Sequence, residues 1–297
     1  MPYLGAHTSV AGGLHLAFER MEKIRGRALQ IFTANQRRWL SPLLAPEEIS
    51  RFKARRDQCG RPPIAAHGSY LINLAASDES ILHRSVAAFA EELKRCDQLG
   101  IPYLVMHPGA HAGQGTEAGL LRLVKNLDLA IRTSGVQSVG VLLENTAGQG
   151  SCLGATFEEI AFILQMSAFA DALGLCYDTA HGFAAGYDLR DPAAYRLTFE
   201  KLERQIGLHR LKFFHLNDSK PDLGARVDRH EHIGKGKIGL RGFGLLLNDP
   251  RFQNHPMVLE TPKGKELLED IENLRLLTSL LQSSRDVIYK HFPTVPP

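Results

Sequence analysis

A single-domain (β/α)8 barrel is the fold predicted by this 297-residue chain. Three observations lead there. Eight short apolar runs are bounded by turn residues, a helical stretch follows each, and no linker or composition break divides them. Six of the runs also end on a side chain able to bind metal, the pattern expected if one end of a parallel barrel carries a shared site.

The strands are read at 3–7 and 28–33, then in PPIAAH ending at His67, PYLVMH at His107, GVLLE at Glu144, LGLCYD at Asp178, LKFFH at His215 and PMVLE at Glu260. Helices are read at 12–25, 45–59, 78–99, 117–133, 156–171, 192–206, 240–248 and 264–284. Asp57 to Gly60 and Gln98 to Gly100 look like helix ends, with glycine where a left-handed cap belongs. Thr156 followed by Glu159 reads as a capping box opening the fifth helix. The barrel domain is expected over 1–285, and 286–297 is expected to be a proline-rich tail. A doubly wound open sheet is the alternative architecture.

With 44% hydrophobic residues the chain can fill a core, and nothing approaches the roughly 18 continuous apolar residues of a membrane span. The opening MPYLGAHTSVAGG has neither the basic start nor the apolar stretch of an export signal, so the cytoplasm is the expected compartment. A monomer is the expected state. Cys59, Cys96, Cys152 and Cys176 form no CxxC pair, which argues against a zinc ribbon or a redox motif; they are expected mostly as small buried hydrophobes. A net charge of +3 permits a nucleic-acid partner without requiring one.

Strand C-terminal ends share one face in parallel barrels, so the six strand-end residues should converge. His181 follows Asp178 closely, and the loop after the seventh strand adds Asp228 and His230. Histidine and carboxylate suit zinc, with manganese or iron able to take similar positions. Nine such side chains exceed what one tetrahedral zinc can use and match three metals with one bridging carboxylate. Three divalent ions against four carboxylates leave an electrophilic site that favours phosphate, and paired metals favour phosphoester hydrolysis. His232 competes with His230 for the loop position. His7 and His111 lie on the same face and are expected to support ligands or touch substrate, while His15, His83, His209, His255 and His291 are expected at the surface.

The segments GAHTSVAGGL, FTANQRRW, HGSYLINLA, HPGAH, LLENTAGQGS, DTAHGFAAGYDLR, HLNDSK, RVDRHEHIGKGKIG and VLET together resemble endonuclease IV, the zinc-dependent apurinic/apyrimidinic endonuclease family of base-excision repair. The likeness runs along nearly the whole chain. It implies that His67, His107 and Glu144 hold one zinc, that Glu144, Asp178, His215 and Glu260 hold a second, and that His181, Asp228 and His230 hold a third. It further implies catalytic roles for Glu144 and Glu260: Glu144 bridges two metals, and Glu260 orients or deprotonates the hydrolytic water. Cleavage 5′ to an abasic site would leave a 3′-hydroxyl and a 5′-deoxyribose phosphate. The implied partner is duplex DNA with abasic or 3′-blocked lesions, and the implied location is the nucleoid.

Asn35-Gln-Arg-Arg-Trp39 follows the second strand, and Tyr70 and Leu71 follow His67. Cations and amides can bind phosphates, and apolar wedges can fill the space left by an unstacked nucleotide. The resemblance implies that Asn35, Arg37, Tyr70 and Leu71 contact DNA, whereas Trp39 is expected to pack on its own loop. The loop with Gly234, Gly236, Gly239, Lys235 and Lys237 lacks P-loop spacing and reads as a DNA-phosphate contact or a plain turn. Gly68 and Ala180 depart from the family, some members of which carry an acidic residue and a cysteine there. Two other functions fit a metal-bearing barrel: a sugar isomerase or epimerase, and a non-catalytic binder of DNA lesions.

Overall fold

The computed structural model describes residues 1–282. Eight parallel strands close a barrel: β1 (Tyr3–His7), β2 (Ala28–Ile31), β3 (Ile64–His67), β4 (Tyr103–Met106), β5 (Gly140–Glu144), β6 (Leu173–Asp178), β7 (Leu211–His215) and β10 (Pro256–Leu259). All eight strands read from the sequence are present. The outer ring comprises α1 (Leu16–Lys23), α2 (Pro46–Gln58), α3 (Glu79–Leu99), α4 (Thr116–Ser134), α5 (Phe157–Met166), α7 (Pro192–Gln205), α8 (Gly239–Leu247) and α9 (Leu268–Ser279). The tail at 286–297, the end of the helix read to 284 and His291 lie outside the described residues. No helix among the described residues is long and apolar enough to cross a membrane.

Local chemistry sets the helix ends. Asp78 accepts the Ile81 amide to open α3, and Gly100 closes it at φ 68°. Thr156 accepts the Glu159 amide, as the capping box requires, but Glu159 Oε2 reaches back to the amides of Gly154 and Ala155. The fifth helix stops at Met166 rather than 171 because Ser167 is extended and its hydroxyl binds Asp128. Two features differ from the sequence reading more deeply. A short helix, α6 (Thr179–Ala185), follows β6 directly, and a two-stranded antiparallel ribbon pairs β8 (Asp218–Ser219) with β9 (His230–Glu231).

Inward-facing side chains fill the barrel in layers. Ala28, Ala65, Val105, Leu142, Cys176, Phe213 and Val258 pack together as one layer. Side chains alternate along a strand, so the next inward residue lies two positions on. That step gives Gln30, His67, His107, Glu144, Asp178, His215 and Glu260, with His7 completing the ring from β1. The barrel thus carries its apolar interior directly into a ring of polar side chains at the C-terminal mouth. Larger apolar side chains, among them Phe18, Phe52, Phe89, Phe199 and Phe243, seal the layer between strands and helices.

One buried carboxylate fixes the loop beside this mouth. Glu92 on α3 is almost fully enclosed and accepts the Ser69 amide through both oxygens, at 3.1 and 3.3 Å. Burial pushes its carboxyl up to about 7, against the opposing pull of the Ser69 amide, His67 and Arg95. Ionising it therefore opposes folding, and that cost grows from its unfolded value near 4.5 up to about pH 7. A Glu92→Gln variant keeps an acceptor for Ser69 without the charge. Its melting temperature is expected to exceed that of the parent at about pH 8, with the gap closing towards about pH 4.5; calorimetry at the two pH values checks this.

Candidate metal centre

Glu144 lies at the heart of the mouth, fully buried. Its Oε2 is 3.0 Å from His67 Nε2 and 3.1 Å from His107 Nε2, and its Oε1 is 3.1 Å from His215 Nδ1. One carboxylate thereby joins two sets of donors. His67, His107 and Glu144 form the first set; Glu144, Asp178, His215 and Glu260 form the second, and within each set the donor atoms lie within 4.8 Å of one another. Glu144 Oε1 and His215 Nδ1 are both buried without a hydrogen bond despite their proximity. Such orphaned donor atoms on imidazole and carboxylate fit a divalent metal.

A third set gathers beside them. His181 Nε2 is 3.2 Å from Asp228 Oδ1 and 3.3 Å from His230 Nε2, and His230 Nε2 is 3.6 Å from the same Asp228 oxygen. Asp178 Oδ2 also stands 3.6 Å from His230 Nε2, so Asp178 borders this set as well as the second. All nine side chains singled out in the sequence meet in one mouth. His181 sits on α6 rather than in a loop, because Asp178 caps that helix by accepting the His181 amide at 2.8 Å. His230 is fixed on the β8–β9 ribbon, while its competitor His232 turns away to Asn273.

Several supporting groups orient these side chains, as is usual around bound metals. The Nδ1–H of His67 donates to the Gly68 carbonyl at 2.8 Å, and that of His181 to the Asn145 carbonyl at 3.0 Å, which turns each Nε2 inward. Asn217 donates to Asp178 Oδ2 at 2.6 Å and accepts the Glu260 amide at 2.8 Å. His7 reaches Glu260 Oε1 at 2.9 Å, giving it a supporting role. Gln30, Asn145 and Asn217 were not picked out from the sequence. Each is a buried amide at or just beyond a strand end, a signal that a search confined to ionisable residues passes over.

Electrostatics match this reading. Burial alone would raise the Glu144 carboxyl, but the neighbouring His215 and His107 imidazoles hold it well below the usual range. Glu260 is likewise lowered, with His215 and a hydrogen bond from His7 outweighing burial. Burial alone would lower His181 and His215. For His181, Asp178, Asp228 and Glu144 reverse the effect; for His215, the Glu260 and Glu144 carboxylates do. Both imidazoles are held well above their ordinary value.

The surroundings refine other expectations. Asn35 Oδ1 accepts the Arg37 amide at 2.9 Å, closing a turn that leaves Arg37 exposed. Tyr70 is exposed, its ring centroid 5.6 Å from that of His67, and Leu71 is half-buried beside it. Trp39 packs under Arg84 of α3, with the guanidinium 4.9 Å from the ring centroid. Backbone amides of the glycine-rich loop do not await a phosphate: Gly234, Gly236 and Ile238 donate to the buried Asp218 carboxylate at 2.9 to 3.1 Å. That loop cradles the protein's own anion. His111 accepts the Gly115 amide in a turn. His15 and His255 are half-buried rather than exposed, and His255 Nε2–H donates to the Leu211 carbonyl. Cys96 and Cys176 are buried as expected, but Cys152 is exposed, bordering a cavity of about 230 Å3 lined also by His67, Tyr70, Asn73, Met106 and His107.

Comparison with known proteins identifies the family. A family model described as a xylose isomerase-like TIM barrel matches residues 18–277. A protein of Chloroflexus aurantiacus named probable endonuclease 4 is 49% identical over 96% of this chain and 100% of its own length. The chain belongs to the endonuclease IV family. A crystal structure of endonuclease IV from Thermus thermophilus superposes with a TM-score of 0.85 at 38% identity, covering 94% of this chain and 98% of that one. A D-tagatose 3-epimerase-like protein superposes with a TM-score of 0.71 over 94% of this chain and 97% of that one, but at 19% identity it shares the fold alone. This endonuclease IV family member is accordingly a nuclease with side-chain clusters suited to metal ions.

For His181 and His215 to ligate a metal, each would have to give up the proton that the neighbouring carboxylates favour. Because both lie above the ordinary imidazole value, proton competition persists above neutrality. Apparent metal affinity should keep rising with pH from about 6.5 upward, by about tenfold per unit for each proton displaced. Chelator competition across that range checks the slope; a plateau from about pH 6.5 upward would contradict the assignment.

Proposed function

We infer that this chain hydrolyses the phosphodiester 5′ to abasic sites in duplex DNA, leaving a 3′-hydroxyl and a 5′-deoxyribose phosphate. The observation carrying this reading is Glu144, one buried carboxylate shared between two donor sets, with a third set adjoining. His67, His107 and Glu144 would hold one zinc; Glu144, Asp178, His215 and Glu260 a second; His181, Asp228 and His230 a third. Bound ions of this kind supply Lewis acidity, lower the pKa of a coordinated water and neutralise charge on a leaving oxygen.

The chain's own groups supply the rest. Glu260, with one oxygen held by His7 and Gln30, turns the other towards the mouth, where it can orient a water or take its proton. Arg37, exposed on its Asx turn, would meet a backbone phosphate, and Tyr70 and Leu71 would fill the space left by an extruded nucleotide, a reading supported by the exposure of Arg37 and Tyr70. An abasic site is cheap to extrude because it has no base to unpair. Asn35 contributes mainly by building the Arg37 turn, with its amide nitrogen left to face DNA.

Elemental analysis combined with cleavage of a duplex bearing one abasic-site analogue tests the reading. About three zinc ions per chain and a chelator-sensitive nick 5′ to the lesion are expected. A chain with no bound metal and no nick would reject it. Arg37→Ala should weaken lesion binding and flatten its dependence on log salt concentration by about one unit, the signature of one lost phosphate contact. Binding titrations at several salt concentrations measure that slope.

A further inference from the structure

Two of the eight barrel strands bring no candidate ligand to the mouth. Their inward residues at that level are His7 on β1 and Gln30 on β2, which are register partners. Gln30 is fully buried, and its carboxamide links candidate ligands from two other strands. Its Nε2 donates to Glu260 Oε1 at 2.7 Å, and its Oε1 accepts from His215 Nε2 at 2.8 Å. Reversing the amide would press its oxygen against the Glu260 carboxylate, so Glu260 fixes the amide's orientation.

The amide in turn fixes the imidazole. Its oxygen requires a proton on His215 Nε2, which directs ligation to Nδ1. That Nδ1 faces inward, 3.1 Å from Glu144 Oε1 and 3.2 Å from Glu260 Oε2. His67 and His181 present the opposite nitrogen, Nε2, because backbone carbonyls hold their Nδ1. A backbone carbonyl survives any substitution, whereas the partner of His215 is a side chain. At the other end of the amide, Glu260 Oε1 accepts from both Gln30 and His7, which leaves Oε2 as the oxygen turned to the centre.

We propose that Gln30 is a positioning residue for the second metal group: it selects the Nδ1-ligating tautomer of His215 and holds Glu260 in the rotation that offers Oε2. This rests on the metal-dependent reading above. Gln30 touches neither substrate nor reacting atoms and acts through these two side chains, with His7 Nδ1 also 3.0 Å from its Nε2. Neighbouring inward positions on the same strand, such as Ala28, are apolar, so a buried amide at this level is matched to the two partners it satisfies.

The test uses the full chain and zinc as the probe. Gln30→Met removes both hydrogen bonds at similar volume. Chelator competition should show zinc binding weakened about 10- to 100-fold at one of the sites. The absorption bands of the cobalt(II)-substituted variant should shift, and at saturating zinc kcat on an abasic duplex should fall while KM stays unchanged. Zinc binding and a cobalt spectrum matching those of the unmodified protein would overturn the role of Gln30 alone. Failure of the unmodified protein to bind zinc would overturn the metal-dependent reading and this role with it. If Gln30→Met does not fold, histidine 15N spectra of the unmodified zinc-loaded protein decide, with the His215 signal identified by its loss in His215→Gln: a proton on Nε2 is expected, and one on Nδ1 overturns the proposal.

Discussion

The C-terminal mouth of this barrel is organised by the burial of carboxyl groups. Glu144 and Asp178 are fully enclosed and Glu260 nearly so, a placement that strongly opposes folding unless positive charge is brought to them. Three consequences follow from that one constraint. Six imidazoles surround the carboxylates, two of them are pushed well above their ordinary value by these neighbours, and the same geometry suits divalent ions.

Precision comes from groups that carry no charge. The carbonyls of Gly68 and Asn145 turn two imidazoles, Asn217 holds Asp178 and the Glu260 backbone, and Gln30 joins Glu260 to His215. Each uses a buried amide or carbonyl that would otherwise be unsatisfied, so satisfying the interior and orienting the site are the same act. Asp218 shows the principle in a purely structural setting. Its carboxylate gathers the amides of the glycine-rich loop, which anchors the segment around the ribbon that carries His230.

Family membership and site geometry divide the explanatory work. The barrel alone is shared with epimerase-like proteins and so does not specify chemistry. In this chain the mouth carries a third donor set on α6, the β8–β9 ribbon and the preceding loop, and the loop after β2 holds an exposed Arg37 turn. These features lie on the insertions and loops that a (β/α)8 scaffold varies most freely.

The order of strands and helices and the convergence of nine metal-binding side chains were legible in the sequence, because apolar runs ending on His, Glu or Asp follow directly from alternation and burial along parallel strands. Resemblance across the whole chain supplied the grouping into three sets, which the spacing of residues left open. Gln30 was missed for a specific reason: reading the second strand to Thr33 placed its end two residues beyond the observed Ile31, hiding the inward position level with His67. The helix bearing His181 and the ribbon bearing His230 are too short to show a period. Tertiary structure alone decided the tautomers, the Asp218 cradle and the packing of Trp39 against Arg84. Each depends on contacts between residues distant in the chain, and side-chain direction at a few ångströms is set by packing, which no local pattern records.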